Sequence, residues 1–92
     1  GMMSAFHMLA ATFVDWCCEN GMEEPAARQY TTSFFSALCT MEQHWPGDLK
    51  DFAREMTPGG LNWQGLKYLE EKNAFEDWKK ALDPLLKRVI KE

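Results

Sequence analysis

The 92-residue chain is nearly half apolar and about a quarter charged, with a formal net charge of −4 and a pI near 5.1. These values fit one small globular domain spanning 2–92 and disfavour a phosphate backbone as partner, which needs clustered Lys and Arg. The C-terminal cations are interrupted by an acid (Lys79, Lys80, Asp83, Lys87, Arg88, Lys91) and the net charge is negative, so no basic face is expected and nucleic acid is not an expected partner.

Gly1 ahead of Met2 reads as the remnant of a removed tag and is set aside. The apolar opening, Met2 to Val14, is too short to span a bilayer and is closed by Asp15. It also lacks the cationic start of a signal peptide, so a membrane is not an expected partner and a cytoplasmic location is expected. Helical periodicity continues nearly end to end, with no strand-like alternation, repeat or linker. The expected fold is an all-α five-helix bundle.

The spacing predicts a first helix from Ser4 to Asn20, stopped by Gly21. Phe6, Leu9, Ala10, Phe13, Val14 and Cys17 form one apolar stripe. Ala5, Met8, Ala11, Trp16 and Cys18 make the other faces apolar too, so this helix needs cover on more than one side. A second copy of the chain is the expected source of that cover, as an obligate helical dimer of ~2,000 Å² or more of interface. The four Trp suit such an interface core.

A second helix is expected from Pro25, whose missing N–H costs nothing in a first turn, to His44. It would bury Ala27, Tyr30, Thr31, Phe34, Phe35, Leu38 and Met41, and Trp45-Pro46-Gly47 would end it. A short third helix, Asp48 to Glu55, takes Asp48 as its cap and buries Leu49, Phe52, Ala53 and Met56. A fourth, Leu61 to Lys72, follows the turn Thr57-Pro58-Gly59-Gly60. Asn73 and Glu76 have the spacing of a capping box that opens a last helix. Phe75, Trp78, Leu82, Leu85, Leu86 and Val89 form its stripe, and Pro84 should bend it.

Cys17, Cys18 and Cys39 have no CxxC spacing and read as small buried hydrophobes in a reducing compartment. No Glu-x-x-His pairs mark a di-iron bundle, so no metal is expected. His7, in the first helix, and His44, at a helix end favourable to its charge, read as structural. Glu42 reads as part of a solvated helix face.

One segment has the chemistry of a binding loop. In Thr57-Pro58-Gly59-Gly60-Leu61-Asn62, Pro58 fixes a turn and the glycines permit close backbone approach. The helix that follows directs its free N–H groups outward, toward a carboxylate or similar anion. The Thr57 hydroxyl and the Asn62 amide could add donors.

From Thr12 onward the sequence resembles the C-terminal dimerisation domain of pyrroline-5-carboxylate reductases and their ProC-like relatives. The resemblance rests on Ala11-Thr12-Phe13-Val14-Asp15 through Asn20-Gly21 to Ala26-Ala27, and on Glu42-Gln43-His44 with Pro46-Gly47-Asp48-Leu49-Lys50-Asp51. It continues through Thr57-Pro58-Gly59-Gly60, Gly65-Leu66, Leu69-Glu70, Phe75 and the final helix. It implies an intertwined homodimer with a fold like the C-terminal domain of 6-phosphogluconate dehydrogenase, and a parent enzyme of proline biosynthesis. There, an N-terminal Rossmann domain binds NAD(P)H and the Pro-Gly-Gly loop holds the carboxylate of a small imino acid.

Carried over by position, Thr57, Gly59, Gly60, Leu61 and Asn62 are the substrate-binding residues. No catalytic or cofactor-binding residue is assigned to this chain. Asn62 stands where the reductases usually place a Thr, Trp63 adds bulk, and the segment between Leu49-Lys50-Asp51 and Pro58 is long for the family. These departures imply a divergent member and a substrate that differs from pyrroline-5-carboxylate. Since no GxGxxG follows a strand, the chain itself is expected to bind no cofactor and to be inactive alone. The rival reading is a free-standing helical dimeric interaction module without catalysis, which Met2 as a native start would favour.

Overall fold

A computed structural model describes residues 1–55 and 59–91, the last five of these in backbone only. Among the described residues there are five helices and no strand, so the all-α class holds: α1 (Met3–Glu19), α2 (Glu24–His44), α3 (Leu49–Arg54), α4 (Leu61–Glu71) and α5 (Ala74–Lys91). The chain forms two compact units, Met2–Pro46 and Gly47–Glu92.

The first unit is the α1–α2 hairpin. Gly21 ends α1 as expected, in a Schellman turn. It takes φ +104 and donates to the Cys18 carbonyl, while the Met22 N–H donates to Cys17, each at 3.1 Å. Phe35 of α2 makes T-shaped contacts with Phe6 and Phe13 of α1 at centroid distances of 6.1 and 5.0 Å. Beneath them Cys17, Ala27 and Thr31 are buried.

Those three are the only buried side chains among the described residues. The burial expected along α2 is therefore corrected: Ala27 and Thr31 are covered and Phe35 is half-buried, but Tyr30, Phe34, Leu38 and Met41 are exposed. On α1, Phe6, Met8, Phe13 and Trp16 are exposed as well. The reason is geometric. One helix packed on another covers a single stripe, whereas both helices carry apolar residues over a wider arc. Cys39 is likewise exposed and Cys18 half-buried, against the expectation of three buried thiols.

The second unit holds α3, α4 and α5. Asp48 caps α3 as expected, its carboxylate accepting from the Lys50 N–H at 2.7 Å. Arg54 on α3 reaches Glu70 on α4 at 3.2 Å, a largely solvated pair worth under ~1 kcal/mol. Phe52, Leu66, Trp78 and Leu85 are half-buried, while Leu49, Ala53, Phe75, Leu82 and Leu86 are exposed. Expected core positions Met56 and Val89 lie outside the described side chains.

The expected capping box is not formed. Asn73 takes φ +58, the left-handed geometry that terminates α4, and its N–H donates to the Glu70 carbonyl at 3.0 Å. The Glu76 carboxylate pairs instead with Lys79 at 3.3 Å. Asn73 serves both helices through its backbone, since its carbonyl accepts the Asp77 N–H at 3.0 Å. Pro84 lies inside α5 as expected.

Candidate functional site

The candidate loop is described from Gly59 onward; Thr57 and Pro58 lie outside the described residues. Gly59 takes φ +85, a backbone that side chains with a Cβ rarely adopt. Gly60 is different. It is the N-cap of α4 at φ −74, which any residue can adopt, and it offers no side chain to cap the helix.

Gly60 thus gives no side-chain cap to the first N–H groups of α4, on Leu61, Asn62 and Trp63, which lie at the positive end of the helix dipole. The first helical hydrogen bond closes behind them, the Gln64 N–H donating to the Gly60 carbonyl at 2.9 Å. The Gln64 side chain reaches back to donate to the Gly59 carbonyl at 3.0 Å, tying the glycine to the helix it precedes. Gln64 escaped the sequence reading; its place one turn after a glycine pair was the available signal. Leu61 and Asn62 are exposed beside this end, and Lys67 lies 6.0 Å over the Trp63 ring one turn further on.

The hairpin unit carries two grooves, one on each side of the α1–α2 seam. The first, of about 400 Å³, is lined almost wholly by apolar surface from Phe13, Trp16, Cys17, Tyr30 and Phe34. The second, about 380 Å³, holds the charged and titratable groups His7, Asp15, Glu24 and Arg28. Arg28 and Glu24 pair there at 2.8 Å. His7, expected to be structural, is exposed on this polar side, and His44 sits in the last turn of α2. Glu42 is exposed, as a solvated helix face would be. No helix among the described residues is long and apolar enough to cross a membrane.

Helices that leave whole rows of aromatic side chains uncovered define a class of domain whose core is completed by a partner. The sequence matches the family described as pyrroline-5-carboxylate reductase dimerisation over residues 1–91, and the chain belongs to that family. It is a dimerisation domain. No curated protein and no solved structure matched the chain.

Proposed function

We propose that the chain is the dimerisation and substrate-carboxylate-binding domain of an NAD(P)H-dependent, pyrroline-5-carboxylate-reductase-like enzyme. The parent enzyme would pass a hydride from the nicotinamide to the C=N carbon of a small imino acid. This domain would supply the intertwined homodimer and the loop from Thr57 to Asn62, and would neither bind NAD(P)H nor turn over substrate by itself. A cytoplasmic setting goes with that role.

The observation that carries the reading is family membership over nearly the whole chain, joined to the geometry at the start of α4. A carboxylate needs two or three convergent donors, and uncapped helix N–H groups behind a left-handed glycine offer them without a charged side chain. An amide at Asn62 adds a donor of different reach from a hydroxyl, which favours an imino acid other than pyrroline-5-carboxylate.

Titration of the 15N-labelled chain with L-proline, a stable carboxylate analogue of the product class, tests the loop. Saturable shifts confined to the amides of Gly59, Gly60, Leu61 and Asn62 are expected. Shifts scattered over the surface, or none up to high millimolar proline, would remove the carboxylate role and leave the dimerisation role standing.

A further inference from the structure

Gln64 holds two successive carbonyls at the start of α4. Its backbone N–H donates to the Gly60 oxygen at 2.9 Å, the ordinary first bond of the helix. Its side-chain amide reaches past that oxygen and donates to the Gly59 carbonyl, five residues back, at 3.0 Å. A polar side chain at a helix start usually serves the unpaired N–H groups there, as the Asp48 carboxylate does for Lys50 in α3. The Gln64 bond does the reverse: it gives a donor to a carbonyl outside the helix and satisfies none of those N–H groups.

What this bond controls is direction. The Gly59–Gly60 peptide is trans, so its C=O and N–H point opposite ways. Holding the Gly59 oxygen toward Gln64 therefore points the Gly60 N–H away from it. Turning the peptide over rotates ψ of Gly59 and φ of Gly60 together, and neither residue has a Cβ to oppose the rotation. Gly60 would pass from φ −74 into the positive region, which glycine occupies about as readily.

We propose that Gln64 is a positioning residue, a latch that holds the Gly59–Gly60 peptide with its oxygen toward α4 and its N–H facing away. The consequence for a ligand rests on the carboxylate reading of the loop. The reversed peptide would put a carbonyl oxygen on the side where the Gly60 N–H now faces, replacing a donor by an acceptor that repels an anion. The latch itself does not depend on that reading. One neutral hydrogen bond on an exposed side chain changes the ratio of the two orientations by roughly threefold to tenfold. Its loss weakens binding only by the fraction of chains whose peptide is reversed.

The test uses the 15N-labelled chain with Gln64→Met, Gly60→Ala and the two together. Methionine keeps the length and helix propensity of glutamine but has no donor. Alanine at residue 60 fits φ −74 and resists the positive φ of the reversed peptide. Sequential NOEs from the N–H of residue 60 to the Gly59 N–H and Hα protons report which way the peptide faces. The wild type should show one orientation. Gln64→Met should show a mixture, with the dissociation constant for L-proline raised about twofold to fivefold. Gly60→Ala alone should match the wild type, and in the double variant it should restore both the single orientation and the affinity. Such a rescue separates a latch from a side chain that touches the ligand, whose loss alanine at residue 60 would not repair. A single orientation in Gln64→Met would overturn the latch, and so would a mixture that Gly60→Ala leaves unchanged. If proline does not bind the wild type, the carboxylate reading fails and the NOEs alone still decide the latch.

Discussion

Phe13 and Phe35 meet edge to face at 5.0 Å and 71°, and this contact sets the register of the α1–α2 hairpin. Phe35 also receives Phe6, so one side chain of α2 holds two turns of α1. The pair combines area burial with the quadrupole preference for a T-shaped approach. Phe35→Ala should therefore cost about 2–3 kcal/mol, below the range for fully buried Phe because Phe35 is only half-buried. Urea unfolding at fixed protein concentration measures it. Tyr30→Ala, which loses only a stacked neighbour in Phe34 at 6.2 Å, should cost much less in the monomeric state at high dilution.

Two glycines should respond oppositely to the same change. Gly21→Ala places a Cβ at φ +104 in the Schellman turn and should destabilise by about 1 kcal/mol or more. Gly65 lies in the middle of α4, and a Cβ there meets nothing within 4 Å. Gly65→Ala should stabilise by about 0.5–1 kcal/mol through helix propensity. Thermal unfolding of the two variants beside the wild type decides the signs. A destabilised Gly65→Ala protein would show that something beyond the described contacts packs on that face of α4.

The helices were legible in the sequence because their signals are local. Gly21, Pro25, the Trp45-Pro46-Gly47 break and Asp48 each act within a few residues, and each sits within one or two residues of a helix end. What failed was longer in range. Periodicity marked Tyr30, Phe34, Leu38 and Met41 as apolar but could not tell cover by the chain itself from cover by a partner. Asn73 failed for a local reason: capping-box spacing and a left-handed turn use the same residue type, and the junction of α4 and α5 selects the turn. In the candidate loop, Gly59 has the backbone that demands glycine, whereas Gly60 takes a backbone any residue can adopt and, having no side chain, offers the end of α4 no cap.

Cys18 should be a slow thiol at neutral pH. Partial burial, then the carboxylates of Glu24 and Asp15, push its pKa above the ordinary thiol value. The fold accepts the neutral thiol more readily than the thiolate. Stability from this site is thus complete below the ordinary thiol pKa and is lost as pH rises through the raised value. In a Cys17→Ala, Cys39→Ser background, the pH midpoint of iodoacetamide alkylation should lie above that of a free cysteine peptide. Adding Glu24→Gln should bring the midpoint down. A midpoint at or below the peptide's would contradict the burial seen around Cys18.

The last prediction separates the loop's conformation from its chemistry. Gly59→Ala forces a Cβ into φ +85, although the space around it is open, so the strain falls on the backbone rather than on any neighbour. The loop should relax to a different φ, releasing the Gly59 carbonyl from the Gln64 side chain and turning the approach to the α4 N–H groups away. Helix content and unfolding midpoint should change little, because α4 keeps its own hydrogen bonds from Gln64 onward. Proline-induced shifts at Leu61 and Asn62 should weaken tenfold or more, a loss of about 1.4 kcal/mol in binding. Gly60→Ser makes the complementary case: its backbone is undisturbed at φ −74, but a hydroxyl at the N-cap would bond the N–H groups proposed to hold the carboxylate. That variant should gain up to about 1 kcal/mol of stability while losing the same shifts. If Gly60→Ser kept full proline binding, the uncapped end of α4 would not be the carboxylate site.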